Sequence, residues 1–152
     1  MNYYRSCLIL GILGCSFSIS LASAKQPVAG GIGNIQNKKE AQGSGCILYR
    51  KGKQKEIVFW SAFENSALMN IDGKDRRIPL VSETPSLNRI KKGDRSTAIY
   101  KSDKINVRID RVATRVCPVG SQECEATSYN AKIKLNIGER QQVIAVEGDC
   151  GS

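Results

Sequence analysis

The sequence predicts an all-β protein: a small antiparallel barrel or sandwich of about seven to eight strands, held by two disulfides. Short apolar runs that alternate with polar residues recur along the chain, and turn residues separate them at regular spacing. No amphipathic helix of three turns appears after residue 24. Four cysteines follow that residue, and an even number in an exported chain is typical of a disulfide framework.

Composition limits the functions that we expect of the chain. Its 152 residues predict one domain. The hydrophobic content of 41% suits a globular core and is too low for a membrane protein. The formal net charge is +9 and histidine is absent, which removes the commonest general base and the commonest metal ligand. We therefore expect no metal and no cofactor.

Residues 1–24 have the parts of a secretory signal peptide. Arg5 supplies positive charge, the uncharged apolar run 7–21 follows, and Ala22-Ser23-Ala24 is a cleavage site. The run is too short and wrongly flanked for a stable membrane span. We predict an exported chain, periplasmic or secreted, with no transmembrane span after cleavage. An alternative is a lipoprotein anchored at Cys15.

The mature chain is expected to consist of a leader and one domain. Residues 25–45 are rich in Gly, Asn, Gln and Lys, so we predict a flexible leader there. The disulfide-stapled β-domain is expected to occupy residues 46–150.

Its cysteines permit several pairings, and we favour one of them. Cys117 with Cys124 is a local pair at a hairpin end, and Cys46 with Cys150 then joins the first strand to the last.

Turn residues bound each of the predicted strands. The second strand contains the continuous apolar run Ile57-Val58-Phe59-Trp60, which indicates that it is covered on both faces. Asp72-Gly73 after the third strand is a tight-turn signal. Pro79 within the fourth indicates an edge position or a bulge, and residues 83–94 are predicted to form a loop. The first five strands and the eighth are predicted over residues 46–50, 56–62, 67–71, 77–82, 96–100 and 143–146.

The sixth and seventh strands, 105–116 and 129–137, are predicted to form a hairpin. Apolar positions in the sixth strand are odd-numbered up to Ile109 and even-numbered from Val112, which predicts a β-bulge at residues 110–111. Pairing Cys117 with Cys124 then sets Val112 opposite Tyr129, Ile109 opposite Ala131, Val107 opposite Ile133 and Ile105 opposite Leu135.

The outward face of this hairpin is predicted to be basic, with Arg108 directly opposite Lys132. Like charges that face each other across strands are mildly destabilising, so one interpretation is a site for an anionic envelope polymer or another envelope protein. The competing interpretation is a solvated face whose charges discourage edge-to-edge aggregation. The candidate face comprises Lys104, Arg108, Arg111, Arg115, Lys132 and Lys134.

Catalytic signatures are absent from the sequence. A nucleophilic triad needs a positioned base, and neither a histidine nor a Ser-x-x-Lys motif is present. No Cys-x-x-Cys provides zinc ligands. A carboxylate pair that cleaves glycosides has no sequence sign, and choosing Glu64 or Glu147 would be arbitrary. Aromatic residues make up 6% of the chain, so nucleic-acid binding would depend on charge alone and is not expected.

Several features between Cys46 and Tyr100 carry a family resemblance. They are the strand 67–71, the turn Asp72-Gly73-Lys74 and Ile78-Pro79-Leu80, followed by a serine and a tyrosine spaced as in S-G-x-x-Y. This order resembles the periplasmic and membrane-bound C-type lysozyme inhibitors, which are eight-stranded antiparallel barrels with a disulfide. The resemblance implies an inhibitory loop that acts through Ser96 and Tyr100, with Thr97 in place of the family's glycine.

The sequence therefore predicts an exported, non-enzymatic envelope protein, a binding or structural module with a basic sheet face. One alternative is a C-type lysozyme inhibitor. The other is a glycan-cleaving enzyme, which would need two facing carboxylates in a cleft.

Overall fold

The computed structural model describes residues 30–62, 65–84, 90–118, 121 and 124–151. Regular structure in these ranges consists of nine β-strands and no helix. In this part of the chain, no helix has the length and apolarity needed to cross a membrane. The predicted signal peptide and residues 25–29 of the predicted leader lie outside the described residues. The strands are β1 (Ile32–Gly33), β2 (Gly45–Arg50), β3 (Lys53–Ser61), β4 (Ser66–Ile71), β5 (Lys74–Glu83), β6 (Arg95–Ser102), β7 (Ile105–Arg115), β8 (Ala126–Ile137) and β9 (Arg140–Gly151).

Strands β2 to β9 form a closed antiparallel barrel in which each strand pairs with the next one along the chain. β9 returns to pair with β2, and this pairing closes the ring of eight strands. β1 is an additional short strand against β4, with Ile32 opposite Ile71. The predicted all-β antiparallel class is confirmed, and the architecture is a barrel rather than a sandwich.

Inward-facing apolar side chains fill the interior of the barrel. Val107 and Ile109 on β7 are fully buried, as is Ile133 on the neighbouring β8. The rings of Phe59 and Tyr100 meet edge to face in this core, with their centroids 5.5 Å apart. Tyr100 also lines a cavity at one end of the barrel, so it marks where the packed interior stops.

The apolar run in β3 is covered on both faces, as predicted. Phe59 lies in the main core, whereas Trp60 packs on the outside of the barrel. There it meets Leu68 of β4 and two residues of the segment before β2, Ile35 and Ala41. This second apolar cluster depends on a part of the chain that was predicted to be a leader.

The prediction of a flexible leader is wrong from residue 30 onward. β3 and β4 pair at Trp60 and Leu68, and the N-terminal segment lies alongside both strands. The Ile35 N–H donates to the carbonyl of Ile57 on β3 at 2.8 Å, while β1 pairs with β4. Composition suggested a solvated segment because its apolar residues are few. The barrel nevertheless buries Ile32, Ile35 and Ala41, so residues 30–45 belong to the folded domain.

The predicted register between β7 and β8 is wrong, by two residues from Ile105 to Ile109 and by one at Val112. Ile109 lies opposite Ile133 rather than Ala131. The irregularity in the ladder lies between Ala113 and Arg115, not at residues 110–111. Odd-numbered residues of β7 therefore continue to face the interior beyond Ile109.

This register turns Arg111 inward, which corrects its predicted place on the basic outer face. The prediction assumed that the apolar Val112 faces inward, but the buried residue is Ala113 and Val112 is half-buried on the other face. A charged side chain is tolerated at an inward position here because it lies near the open end of the barrel and has an ionic partner, Glu83.

Both predicted disulfides are present in the structure. Cys46 and Cys150 lie directly opposite each other on β2 and β9, with their Cα atoms 4.0 Å apart. Cys117 and Cys124 are joined across 5.4 Å between Cα atoms. Both bridges line the cavity at the same end of the barrel.

Candidate functional site

A cavity of about 650 Å³ opens at the end of the barrel where both disulfides lie. The start of β2 and the ends of β3, β5, β7 and β9 meet at this end. Its wall combines apolar groups, such as Leu80, Ile90 and the two disulfides, with polar and charged side chains. The charged ones are Glu83, Asp94, Arg95, Arg111 and Glu125. A concave site of this size and mixed lining is the usual form of a small-molecule pocket.

Arg111 lines this cavity with only 12% of its side-chain surface exposed. Its Nη2 donates to a carboxylate oxygen of Glu83 at the end of β5. Its Nε donates to Ser96 Oγ at 3.2 Å, and its Nη1 approaches Cys46 Sγ at 3.6 Å. The guanidinium therefore has a different contact for each of its three nitrogens and a defined orientation.

Tyr129 adds an aromatic face to this cluster. The guanidinium carbon of Arg111 lies 5.8 Å from the centroid of the Tyr129 ring, within range of a cation–π interaction. Burial raises the pKa of the Tyr129 phenol, an effect that the positive charge of Arg111 partly opposes. The phenol therefore stays neutral at physiological pH and can donate a hydrogen bond.

Tyr100 lies deeper than Tyr129 and forms part of the inner wall. Only 4% of its surface is exposed, and burial raises the pKa of its phenol. A hydrogen bond with Ser61 partly opposes that rise. Its position is therefore decided by packing and by one polar partner at the edge of the core.

Ser96 and Tyr100 do not form the loop that the family resemblance implied. Both lie within β6, and their even numbers place them on its inward face. Ser96 is half-buried and accepts a hydrogen bond from Arg111, while Tyr100 belongs to the core. The structure thus brings these two residues together on the cavity wall rather than on an exposed turn.

Arg108, Lys132 and Lys134 lie together on the outer face of β7 and β8. Arg108 faces Lys134 directly, rather than Lys132 as predicted, and Asp110 takes the place opposite Lys132. Arg108 donates to Asp110 at 2.9 to 3.0 Å, and this hydrogen bond is the main reason why the pKa of Asp110 is lowered. The group contains three cations and one anion, and we call these four residues the basic patch.

The other residues of the predicted face lie apart from the basic patch. Lys104 is exposed in the turn between β6 and β7, at the end of the barrel away from the cavity. Arg115 lies at the cavity end of β7, with its Nη2 3.9 Å from Asp149 and its Nε bonded to Ser128. Arg111 lies inside the barrel. The structure therefore divides the six predicted cations between four places.

The sequence offered two carboxylates, Glu64 and Glu147, for glycan cleavage. Glu147 accepts a hydrogen bond from the Gly52 N–H at 3.1 Å, and Glu64 lies outside the described residues. Over residues 30–151, leaving aside the gaps in the description, no group of three or more Cys, Asp or Glu side chains is placed to hold a metal ion.

Comparison of the chain with protein-family models, with curated proteins and with solved structures finds no match.

The cavity is the feature that the sequence did not indicate. Its polar centre combines residues far apart in sequence, with Glu83, Ser96, Arg111 and Tyr129 on four different strands. One signal was present: odd-numbered alternation that continues from Ile109 through Arg111 would place a cation inside the sheet.

Proposed function

We propose that this chain is an exported, non-enzymatic binding protein of the cell envelope whose basic patch holds an anionic polymer. The observation that carries this proposal is the register of β7 and β8. It sets Arg108 directly opposite Lys134, with Lys132 beside them on the same face. Like charges placed opposite each other weaken a sheet slightly, and a polyanion that lies across them would reverse that effect.

Export is supported by the signal-peptide pattern of residues 1–24 and by the two disulfides. Disulfides persist in oxidising compartments, and a small domain gains much of its stability from them. An envelope location also brings the protein close to anionic polymers.

The surroundings of the basic patch suit an extended partner. In the row that runs across the sheet, Arg108 and Lys134 are flanked by Ile99 on β6 and by Val143 on β9. Val143 is an exposed aliphatic residue. Asp110 offsets part of the charge but is itself held by Arg108 and by Thr97, whose hydroxyl donates to it at 2.7 Å. The patch therefore remains net positive on a chain that is already basic.

Binding of the disulfide-bonded protein to immobilised dextran sulfate, with uncharged dextran as the blank, tests this proposal. A variant that carries Arg108→Glu, Lys132→Glu and Lys134→Glu is expected to lose salt-sensitive retention while it keeps its fold. The matched control replaces three exposed lysines elsewhere, Lys38, Lys39 and Lys55, by glutamate and changes the net charge equally. Equal losses in both variants would show that net charge, and not the patch, causes retention, and the proposal would fail.

Inhibition of C-type lysozyme is a second candidate. The closed eight-stranded barrel is the fold that the family resemblance implies, and this agreement supports the hypothesis. A turnover assay with purified lysozyme tests it. Inhibition at micromolar protein that is lost in Ser96→Ala would support this function, while full lysozyme activity would remove it.

A further inference from the structure

We propose that the cavity at the end of the barrel binds a small amphipathic carboxylate, whose charged group takes the place of Glu83 on Arg111. This site lies on the inner wall of the barrel, so the inference is independent of the function proposed for the outer face. The apolar part of the ligand would lie against Leu80, Ile90 and the ring of Tyr100.

The size and lining of the cavity support a ligand of this kind. About 650 Å³ lies within the range of roughly 300–1,000 Å³ that small-molecule pockets occupy. Apolar side chains and the two disulfides form one part of the wall, and Arg111 with its partners Glu83 and Ser96 forms another. An amphipathic ligand matches a wall that offers apolar surface together with one oriented guanidinium. Asp94 and Glu125 also line the cavity, so Arg111 is where an anionic group is expected to bind.

The guanidinium of Arg111 is oriented before any ligand arrives. Ser96 holds its Nε at 3.2 Å, and the ring of Tyr129 supports one face of the group at 5.8 Å. The planar guanidinium is suited to carboxylates because it presents its N–H groups as a fork. Because the Arg111 side chain is already held in place, binding of a ligand carboxylate costs little of its side-chain entropy.

Glu83 is the group that such a ligand would displace. Its side chain is 41% exposed, against 12% for Arg111, so the carboxylate can move into water at little cost while the guanidinium cannot. Glu83 is also the last residue of β5, where its side chain faces the cavity opening. The ion pair thus keeps Arg111 neutralised in the empty protein and is open to exchange with a carboxylate.

If a ligand carboxylate displaces Glu83 from Arg111, substitutions of these two residues should have opposite effects on ligand affinity. Glu83→Gln removes the competing charge and should strengthen binding of an anion, whereas Arg111→Gln removes the charge that binds it. A ligand bound through a positive group would depend on Glu83 instead, and Glu83→Gln would weaken it. A zwitterion would be weakened by both substitutions.

Calorimetric titration of the disulfide-bonded protein with decanoate tests the proposal, with decanol and decyltrimethylammonium as probes of equal tail length. We expect decanoate to bind most tightly. Arg111→Gln should weaken it by about tenfold or more, the effect of losing a charge-assisted hydrogen bond, and Glu83→Gln should tighten it. Arg111→Lys retains the charge without the fork and should give an intermediate affinity.

Two further measurements keep the result decisive. Thermal unfolding of each variant shows whether the barrel is intact, and chemical-shift changes at the backbone of Ser96, Arg111 and Tyr129 show whether the ligand lies in the cavity. The variant with Arg108, Lys132 and Lys134 changed to glutamate should bind decanoate like the parent protein. Equal binding of decanoate and decanol, or weaker binding in a folded Glu83→Gln variant, would overturn the proposal.

Discussion

Arg111 and Glu83 form an ion pair at the open end of the barrel, where it links β7 to the end of β5 over the intervening strand β6. The two partners differ in their contact with water, with 12% and 41% of their side chains exposed. The cost of removing either one should depend on how well water can hydrate the partner that is left behind.

We therefore expect unequal effects on stability. Glu83→Ala leaves a poorly hydrated guanidinium and should lower the free energy of unfolding by about 1–3 kcal/mol. Arg111→Met keeps a long side chain against Tyr129 and leaves a solvated carboxylate, so its cost should be about 1 kcal/mol or less. Denaturant unfolding measures both values. A larger loss in Arg111→Met would contradict the view that exposure decides the cost.

The two disulfides should contribute unequally because they close loops of different length. Their sequence separations are 104 residues for Cys46–Cys150 and 7 for Cys117–Cys124. The chain-entropy argument gives about 4.8 and 2.5 kcal/mol respectively. Replacing each pair by alanine and comparing free energies of unfolding tests the order. Equal losses would show that the entropy of the unfolded chain is not the main source of the stabilisation by the disulfides.

Ile35 should be needed for the stability of the whole domain. It is 1% exposed and packs with Trp60 and Leu68 on the outside of the barrel. Ile35→Ala should cost about 2–4 kcal/mol, the usual effect of deleting a buried aliphatic side chain. Fluorescence of Trp60, the single tryptophan, follows the unfolding directly. The control Lys39→Ala changes an exposed residue of the same segment and should stay within about 0.5 kcal/mol. Similar values for both would mean that the segment does not stabilise the barrel.

Replacing Gly148 by a larger residue should destabilise the barrel, because β9 and β2 approach closely at this point. A Cβ added there would collide with the carbonyl oxygen of Ile47 and lie 2.9 Å from the Cα of Leu48. Since both contacts are backbone, the strands themselves would have to separate. Gly148→Ala should cost about 1–3 kcal/mol in a thermal or denaturant melt. Ala145→Ser, at an exposed position on the same strand, is the matched control, and an equal effect in both would argue against a close approach.

Stability should fall in alkaline solution because of Tyr100. Burial raises the pKa of its phenol above the ordinary value of 10.0, so the folded state favours the neutral form. As the pH rises, Tyr100 ionises first in the unfolded state. Its contribution to stability is therefore complete below pH 10.0 and is lost as the pH rises through the higher pKa of the folded state. Unfolding curves measured on either side of this pH test the effect. Tyr100→Phe should flatten the dependence, and an unchanged slope would exclude Tyr100 as its source.

The sequence by itself determined the strands and the disulfides. Strand order follows from local alternation and turn residues, and every predicted strand overlaps an observed one. The pairing of Cys46 with Cys150 followed from their places at the first and last strands. These features are local, or need only the order of the elements along the chain.

Tertiary structure alone decided the place of the N-terminal segment, the position of the bulge and the direction of Arg111. Ile35 is buried because Trp60 and Leu68 present an apolar surface outside the barrel, and the composition of residues 25–45 contains no trace of that surface. Arg111 faces inward because the β7–β8 register continues to Ala113 and because Glu83, on β5 beyond the neighbouring strand β6, neutralises it. From the pattern of apolar residues alone, a charged side chain is predicted to face outward. Only the folded structure, which brings the carboxylate of Glu83 to Arg111, shows why this one lies within.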